Sequence, residues 1–429
     1  MKAHECYMVF TSSNFKWAKK SYSIPLLCDK DHKFVEPVCA YFRDRALRDV
    51  VAHSSLVLYA DRILGFFRFL EGKRIDYMQV DDTILLEWLN VQAARGVGAN
   101  TRAQRCDTIF DLYVWLEGKL YLNGSVKCSS REYSAEQQFC LSSRPVTIHK
   151  RRGRRNSDGI VSSLRPKTNG GKWQHTPTSE EVTKIYAAAD RKANDDLTER
   201  DHLILDWFNL AGLRRFEILA LTLSQIPSWD EIDSHRDLVE AMDVHLVVTK
   251  GGNERTVTVI PALLERTKDY IEGSRQNIVD RFSCKKDYRA PDEIFLSNKT
   301  GKCLEPGSLS NLGVQWFRDA KVKGRPHRLR AKNLLGLFES YIDAEEEKLR
   351  NDPEDKLRID YEMILLKVAE HAGHTHINSL RPYLNYVRKR RLRASGGSRI
   401  AASNQEIEAL RLENQRLQRR LAELEPGGE

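Results

Sequence analysis

Apolar positions fall into two helical blocks, separated by a stretch in which they lose their period. From residue 54, Leu56, Tyr59, Ile63, Phe66, Phe67 and Leu70 recur at spacings of three and four, which draws one stripe of an amphipathic helix. A second helix is predicted over 81–95, with Ile84, Leu85, Trp88 and Leu89 inward. After the breaker GVGAN, a third covers 101–117 and buries Ile109, Leu112, Tyr113 and Leu116. Residues 1–34 give no firm pattern and are set aside as an N-terminal extension, leaving 35–125 as a small helical domain.

Periodicity resumes after residue 174. Thr178 and Glu181 have the spacing of a capping box, with Val182, Ile185 and Tyr186 following at helical intervals. A helix over 200–210 is predicted to stop at Gly212, and another to start near Arg215 with Ile218, Leu219 and Leu221 inward. Strands are predicted over 245–249 and 255–260, joined through Gly251, Gly252 and Asn253 as a β-hairpin. Helices are predicted to dominate 308–388, giving a mostly α second domain over 175–395 with a small sheet.

In the tail, 396–429, Ile400, Ile407, Asn414 and Leu421 share one heptad position. Ser403, Leu410, Leu417 and Leu424 share the other. This is the seam of a short coiled coil, and an Asn at one core position favours a parallel pair of helices. The tail is therefore expected to join two copies of the chain, a lone amphipathic helix on its own protein being the alternative.

Charge changes the reading of the middle. The 429 residues carry a formal net charge of +9. Between 141 and 172, Arg144, Lys150, Arg151, Arg152, Arg154, Arg155, Arg165, Lys167 and Lys172 face only Asp158. The segment 126–174 thus reads as an extended basic linker, suited to a polyanion such as nucleic acid. The sequence RKRRLR, 388–393, is a second basic run with the same two readings, phosphate contact or solvated spacer. The eight cysteines are scattered without a C-x-x-C pair, so neither a zinc site nor a disulfide framework is expected. No signal peptide and no apolar run of membrane-spanning length is seen, so a cytoplasmic protein is expected, nucleoid-associated if bacterial.

Four segments carry chemistry. In AGLRRFEILAL, a glycine closing one helix puts Arg214 at the entrance of the next, beside unpaired backbone N–H groups that favour a phosphate oxygen. Glu217 stands three residues on, where it could orient Arg214. In VVTKGGNERTVTVIP, Lys250 sits where a strand enters a turn and could project an ammonium. In PHRLRAKNLL, His327 and Arg330 lie three apart, on one helix face. In HAGHTHINSLRPYLNY, His374 precedes Tyr383 by nine residues. Each alone has an ordinary explanation: a surface ion pair, a turn lysine, a chance H-x-x-R, a packed tyrosine.

The ordered set resembles the tyrosine recombinase (phage integrase) family: Arg in G-L-R-x-x-E, Lys in a K-G hairpin, H-x-L-R, then G-H followed by Tyr. The resemblance covers roughly 35–386, apart from the linker. It departs from the family in a long interval between Arg330 and Gly373 holding the acidic AEEEKLRNDPEDK, and in a second apparent insertion, PSWDEIDSHRD. KVAEHAGH also has a shorter aliphatic run before G-H than the family shows, and Leu380 stands where Thr is usual.

The resemblance implies a helical core-binding (SAM-like) domain followed by an α+β catalytic domain. It implies a DNA recombinase that cuts and rejoins double-stranded DNA through a 3′-phosphotyrosyl link, without metal or other cofactor, for integration or excision of a mobile element. Its catalytic roles fall on Arg214, Lys250, His327, Arg330, His374 and Tyr383, with Tyr386 as a rival nucleophile. A homo-oligomer is implied too, a tetramer on two duplexes that the tail could prepare as dimers. The alternatives are a catalytically inactive sequence-specific DNA-binding protein with this fold, and a type IB topoisomerase-like nicking-closing enzyme.

Overall fold

The computed structural model describes residues 5–12, 16–17, 20–21, 23–47, 51, 53–128, 132–134, 136–148, 157–168, 173–190, 194–238, 240–247, 254–351, 359–373 and 377–393. The chain divides into two compact units, Met1–Lys172 and Trp173–Glu429.

The first unit is built on four helices, α1 (Glu36–Leu47), α2 (His53–Lys73), α3 (Asp82–Ala94) and α4 (Ala99–Gly118). The stripe expected on α2 is inward: Leu56, Ile63, Phe66, Phe67 and Leu70 are buried, while Tyr59 is half-buried. Asp81 starts α3 by accepting from the amide of Ile84, and α4 begins inside GVGAN, at Ala99. Trp88 meets Phe66 edge-on at 5.0 Å in a core shared with Ile109, Leu112, Tyr113 and Leu116.

The N-terminal extension, given no pattern in the sequence, contributes to that core. β1 (Tyr7–Phe10) pairs antiparallel with β4 (Pro25–Cys28), and Cys6, Ile24 and Leu27 are buried against the helices. Between them lies a two-residue pair, β2 (Lys16–Trp17) with β3 (Lys20–Ser21).

The expectation of an extended linker over 126–174 needs correction. Inside it β5 (Ser143–Ile148) pairs antiparallel with β6 (Ser157–Ser162), Ser143 opposite Ser162 and Ile148 opposite Ser157. Ile160 and Leu164 pack on the helical core, and the Arg165 guanidinium donates to Asp107 of α4 at 2.7 Å. The sparse apolar positions there are cross-strand ones, whose partner is absent from a local window.

The second unit opens with α5 (Ser179–Ala189), whose Thr178–Glu181 capping box is formed as expected, and α6 (Asp195–Asn209). α7 (Arg215–Leu219) is short. The apparent insertion PSWDEIDSHRD folds as α8 (Trp229–Asp237), opened by a capping box between Ser228 and Glu231. The hairpin strands are β7 (Met242–Leu246) and β8 (Arg255–Val259), paired antiparallel with Met242 opposite Val259. β7 begins three residues before its expected start.

α9 (Pro261–Tyr270) runs through a wider turn at Ile271–Arg275 into α10 (Gln276–Ser283). Then come α11 (Pro306–Asp319), α12 (His327–Asn351), α13 (Tyr361–His371) and a last helix, α14, over 381–393. Pro382 sits in the first turn of α14, where the missing N–H costs nothing. One core gathers α5, α6, α7, β7, β8, α9 and α11. A second gathers α12, α13 and α14 through Leu334, Phe338, Ile342, Leu365, Val368, Leu380, Leu384 and Val387.

The architecture is mainly α with small antiparallel sheets. Among the described residues no helix is long and apolar enough to cross a membrane, and no group of three or more His, Cys, Asp or Glu is placed to hold a metal ion. The coiled-coil tail lies outside the described residues.

Candidate active site

The centre of the second unit is a carboxylate. Glu217, on the single turn of α7, has a side chain with no exposed surface. One oxygen accepts from the Arg214 backbone N–H at 2.7 Å, and the other from the Arg214 guanidinium at 2.8 Å. A second guanidinium reaches it from β8, Arg255 Nη2 to Glu217 Oε2 at 2.9 Å. A third approaches from α12, Arg330 Nη1 at 4.0 Å. Burial pushes the Glu217 carboxyl up, but its bonds to Arg255 and Arg214 outweigh that and hold it below the usual range.

Among the described residues, three guanidiniums share one carboxylate, which leaves about two positive charges uncompensated in a largely buried place. Arg330 registers this most: it is 1% exposed, and burial together with the charge of Arg214 pushes it down to about 9. Its Nε is buried without a hydrogen-bond partner among the described residues. A cationic cluster short of counter-charge, with a donor to spare, is the electrostatic preparation for an anion.

The same three arginines fasten the end of α13. The carbonyl of His371 accepts from Arg255 at 3.0 Å, that of Ala372 from Arg330 at 2.7 Å, and that of Gly373 from Arg214 at 3.2 Å. Three consecutive carbonyls left over at a helix C-terminus are thus each met by a different cation. Gly373 has φ +60°, and a Cβ there would run into the Arg255 side chain, so both conformation and space require glycine. The turn leading to His374 is therefore fixed on the arginine cluster.

Arg330 also donates to the carbonyl of Gly212, which has φ +62° and no room for a Cβ beside Asn333. Asn333 in turn donates to the Leu210 carbonyl at 2.7 Å, tying α12 to the end of α6.

Tyr383 lies in the first turns of α14, half-buried against the α12–α13 core. Trp173 meets the Tyr383 ring edge-on at 5.3 Å and 78°, and lies flat on Tyr386 at 4.3 Å and 7°. Of the two tyrosines, Tyr386 offers its face to the indole and Tyr383 meets its edge. His327 is exposed at the start of α12 and lines a cavity of about 240 Å³ with Arg215, Ser310, Arg325 and Pro326.

The structure thus brings together Arg214 and Arg330 of the six expected residues, sets His327 one turn from Arg330, and places Tyr383 at the start of α14 in the same unit, against Trp173. Lys250 and His374 lie outside the described residues. Sequence reasoning missed Arg255, Asn333 and Trp173. Arg255 left a signal: it shares the period-two face of β8 with the buried Val257 and Val259, where a charge is out of place. Asn333 and Trp173 left none.

Fold and site together define a two-unit, mostly helical protein whose second unit holds an anion-seeking arginine cluster. No family profile matches the chain. The chain is 27% identical over 169 residues to "Tyrosine recombinase XerC" of Shewanella sp. (strain ANA-3), a stretch covering 39% of this chain and 49% of that protein. The XerC of Shewanella oneidensis is 25% identical over 169 residues. The chain spans about half the length of the curated relatives it matches. Among solved structures, the XerH site-specific recombinase bound to palindromic difH substrate superposes with a TM-score of 0.51 at 16% identity, covering 84% of this chain and 83% of that one. The chain is thus similar in sequence, over a part of its length, to tyrosine recombinases, and it shares the fold of the XerH structure.

Proposed function

We propose that this chain is a site-specific DNA recombinase of the integrase type, which cleaves and rejoins double-stranded DNA to integrate or excise a mobile element. The observation that carries the reading is the buried cluster of Arg214, Arg255 and Arg330 around the carboxylate of Glu217, in the same unit as Tyr383. A phosphodiester supplies the missing negative charge, and that charge is redistributed over its non-bridging oxygens as the reaction proceeds.

In this reading the Tyr383 oxygen bonds to phosphorus as the bond to the 5′-oxygen breaks, which leaves a 3′-phosphotyrosyl link. The phenol proton passes to His327, and Lys250 protonates the departing 5′-oxygen. Arg214 and Arg330 hold the phosphate oxygens, and His374 hydrogen-bonds one of them. Attack by a 5′-hydroxyl of a partner strand reverses each step and rejoins the DNA in a new pairing. The number and type of phosphoester bonds are conserved, so no energy source is consumed. XerH is described bound to its difH substrate in a post-cleavage complex, which supports DNA as the substrate class here. Copies of the chain would pair through the coiled-coil tail and assemble as a tetramer on two duplexes.

The test is a suicide duplex, taken from DNA flanking the gene or selected from random DNA by binding, with a nick beside the cleavage position so that the cut fragment diffuses away. Protein should become covalently joined to DNA in denaturing gels with wild type and Tyr386→Phe, and not with Tyr383→Phe. Arg330→Ala should slow adduct formation about 10²–10³-fold. Binding without adduct formation by wild type would instead favour a DNA-binding protein that has lost its chemistry.

A further inference from the structure

The segment just before α5 belongs to none of the roles above, yet it touches both halves of the site. Trp173 closes over Tyr386 face to face and over Tyr383 edge to face. Its three successors are fastened to the first turn of α12. Arg328 donates to the carbonyl of Gln174 at 2.9 Å, to that of His175 at 2.8 Å, and to the Thr176 hydroxyl at 3.2 Å. His175 also contacts Glu181 of α5 at 2.7 Å.

Arg328 stands between His327 and Arg330. Residues 173–176 therefore form a strap whose one end is pinned beside the expected proton acceptor, and whose other end is an indole against the expected nucleophile.

A tyrosine ring near a helix start turns about two side-chain bonds, and its attack needs the phenol oxygen in line with phosphorus. Misplacement by about 1 Å costs on the order of 10²-fold in rate. The Trp173 edge contact removes one direction of swing, and the flat stack on Tyr386 fixes where the indole itself can lie.

We propose that Trp173 is a positioning residue for Tyr383, held in place by the Arg328 strap. This rests on the recombinase reading above.

Two measurements on the full-length protein test it. On the nicked duplex, Trp173→Ala should slow single-turnover adduct formation at saturating DNA by about 10–100-fold. Its Kd for the same duplex should stay within about twofold of wild type, and Trp173→Phe should recover most of the rate by restoring an aromatic wall. Independently of catalysis, 3-fluorotyrosine placed at position 383 should show a ¹⁹F resonance that shifts in Trp173→Ala and returns towards its wild-type position in Trp173→Phe.

An unmoved resonance, or a wild-type cleavage rate in Trp173→Ala, overturns the proposal. A loss of rate that follows a loss of DNA affinity overturns it as well. If Trp173→Ala does not melt cooperatively, Arg328→Gln, which loosens the strap from its other end, must slow the same step and move the same resonance, or the proposal fails. If wild type forms no adduct, the recombinase reading falls, while the resonance still decides whether Trp173 sets the ring.

Discussion

Glu217 shows what one side chain decides in this protein. It is the shared counter-charge of three arginines, and through them it holds the carbonyls of His371, Ala372 and Gly373. Removing one member of a buried ionic group leaves charges unpaired and costs about 3–5 kcal/mol. Glu217→Gln is therefore expected to lower the urea midpoint of the second unit's transition and to abolish adduct formation. Arg255→Lys should resemble Arg255→Met rather than wild type, because an ammonium cannot bridge a carboxylate and a carbonyl as a planar fork does. A near-wild-type Lys variant would show that charge alone suffices.

Acidity should act at the same residues. The Glu217 carboxyl ionises below its ordinary range, so the stability it contributes is complete above the unfolded value and fades as pH falls through the folded one. Burial first, then Arg255, lowers His371, so the native state keeps it neutral while the unfolded chain protonates it below about 6.5. The His371 effect makes stability fall below about pH 6.5 and the Glu217 effect below about pH 4.5, so stability falls in two stages as pH drops from about 7 to 3. Chemical denaturation across that range should show the slope, and Glu217→Gln should flatten its lower part.

At the scale of elements, two motifs changed meaning once their neighbours were known. AEEEKLRNDPEDK reads as an insertion, but its first half is the last two turns of α12, a helix of 25 residues. RKRRLR reads as a basic run suited to phosphate, but Arg390 pairs with Glu339, and Arg391 with Asp343 and Glu346, all on α12. Arg388 lies over the Tyr361 ring at 4.3 Å. Together with the Arg381–Glu362 pair at 2.8 Å, these contacts hold α14, which carries Tyr383, onto its own unit.

Each exposed pair is worth only about 0.2–1 kcal/mol, so the set matters more than any member. Reversing Glu339, Asp343 and Glu346 to Lys should cost about 1–3 kcal/mol in chemical denaturation, and adding Arg390→Glu with Arg391→Glu should return part of it. Arg390→Gln with Arg391→Gln should leave the salt dependence of DNA affinity unchanged. A slope smaller by about two would mean that both side chains contact phosphates.

For the whole molecule, the local codes were legible along the chain. The α2 stripe, the Thr178–Glu181 box and the hairpin of β7 and β8 depend on residues a few positions apart, and a sequence window contains them. Arg214 and Arg330, which converge on Glu217 and the end of α13, stood out in their motifs as well. The strands of the N-terminal extension and of the basic segment were not, because a two-stranded pair is specified by residues on the other strand. Deleting 394–429 is expected to lower the mass in solution from dimer to monomer by light scattering, and an unchanged mass would remove the role given to the tail.

The sequence by itself determined which groups are present, where periodic helices such as α2, α3 and α5 run, and that the chain is basic. Only the tertiary structure decided which charges face one another. Arg214 meets Gly373 across 159 residues, Arg330 meets Gly212 across 118 and Arg255 meets His371 across 116. The reason is physical: helical period and capping are properties of a few neighbouring dihedrals. The sign and strength of an electrostatic site depend instead on burial and on what stands opposite, and both come into being only when distant segments pack.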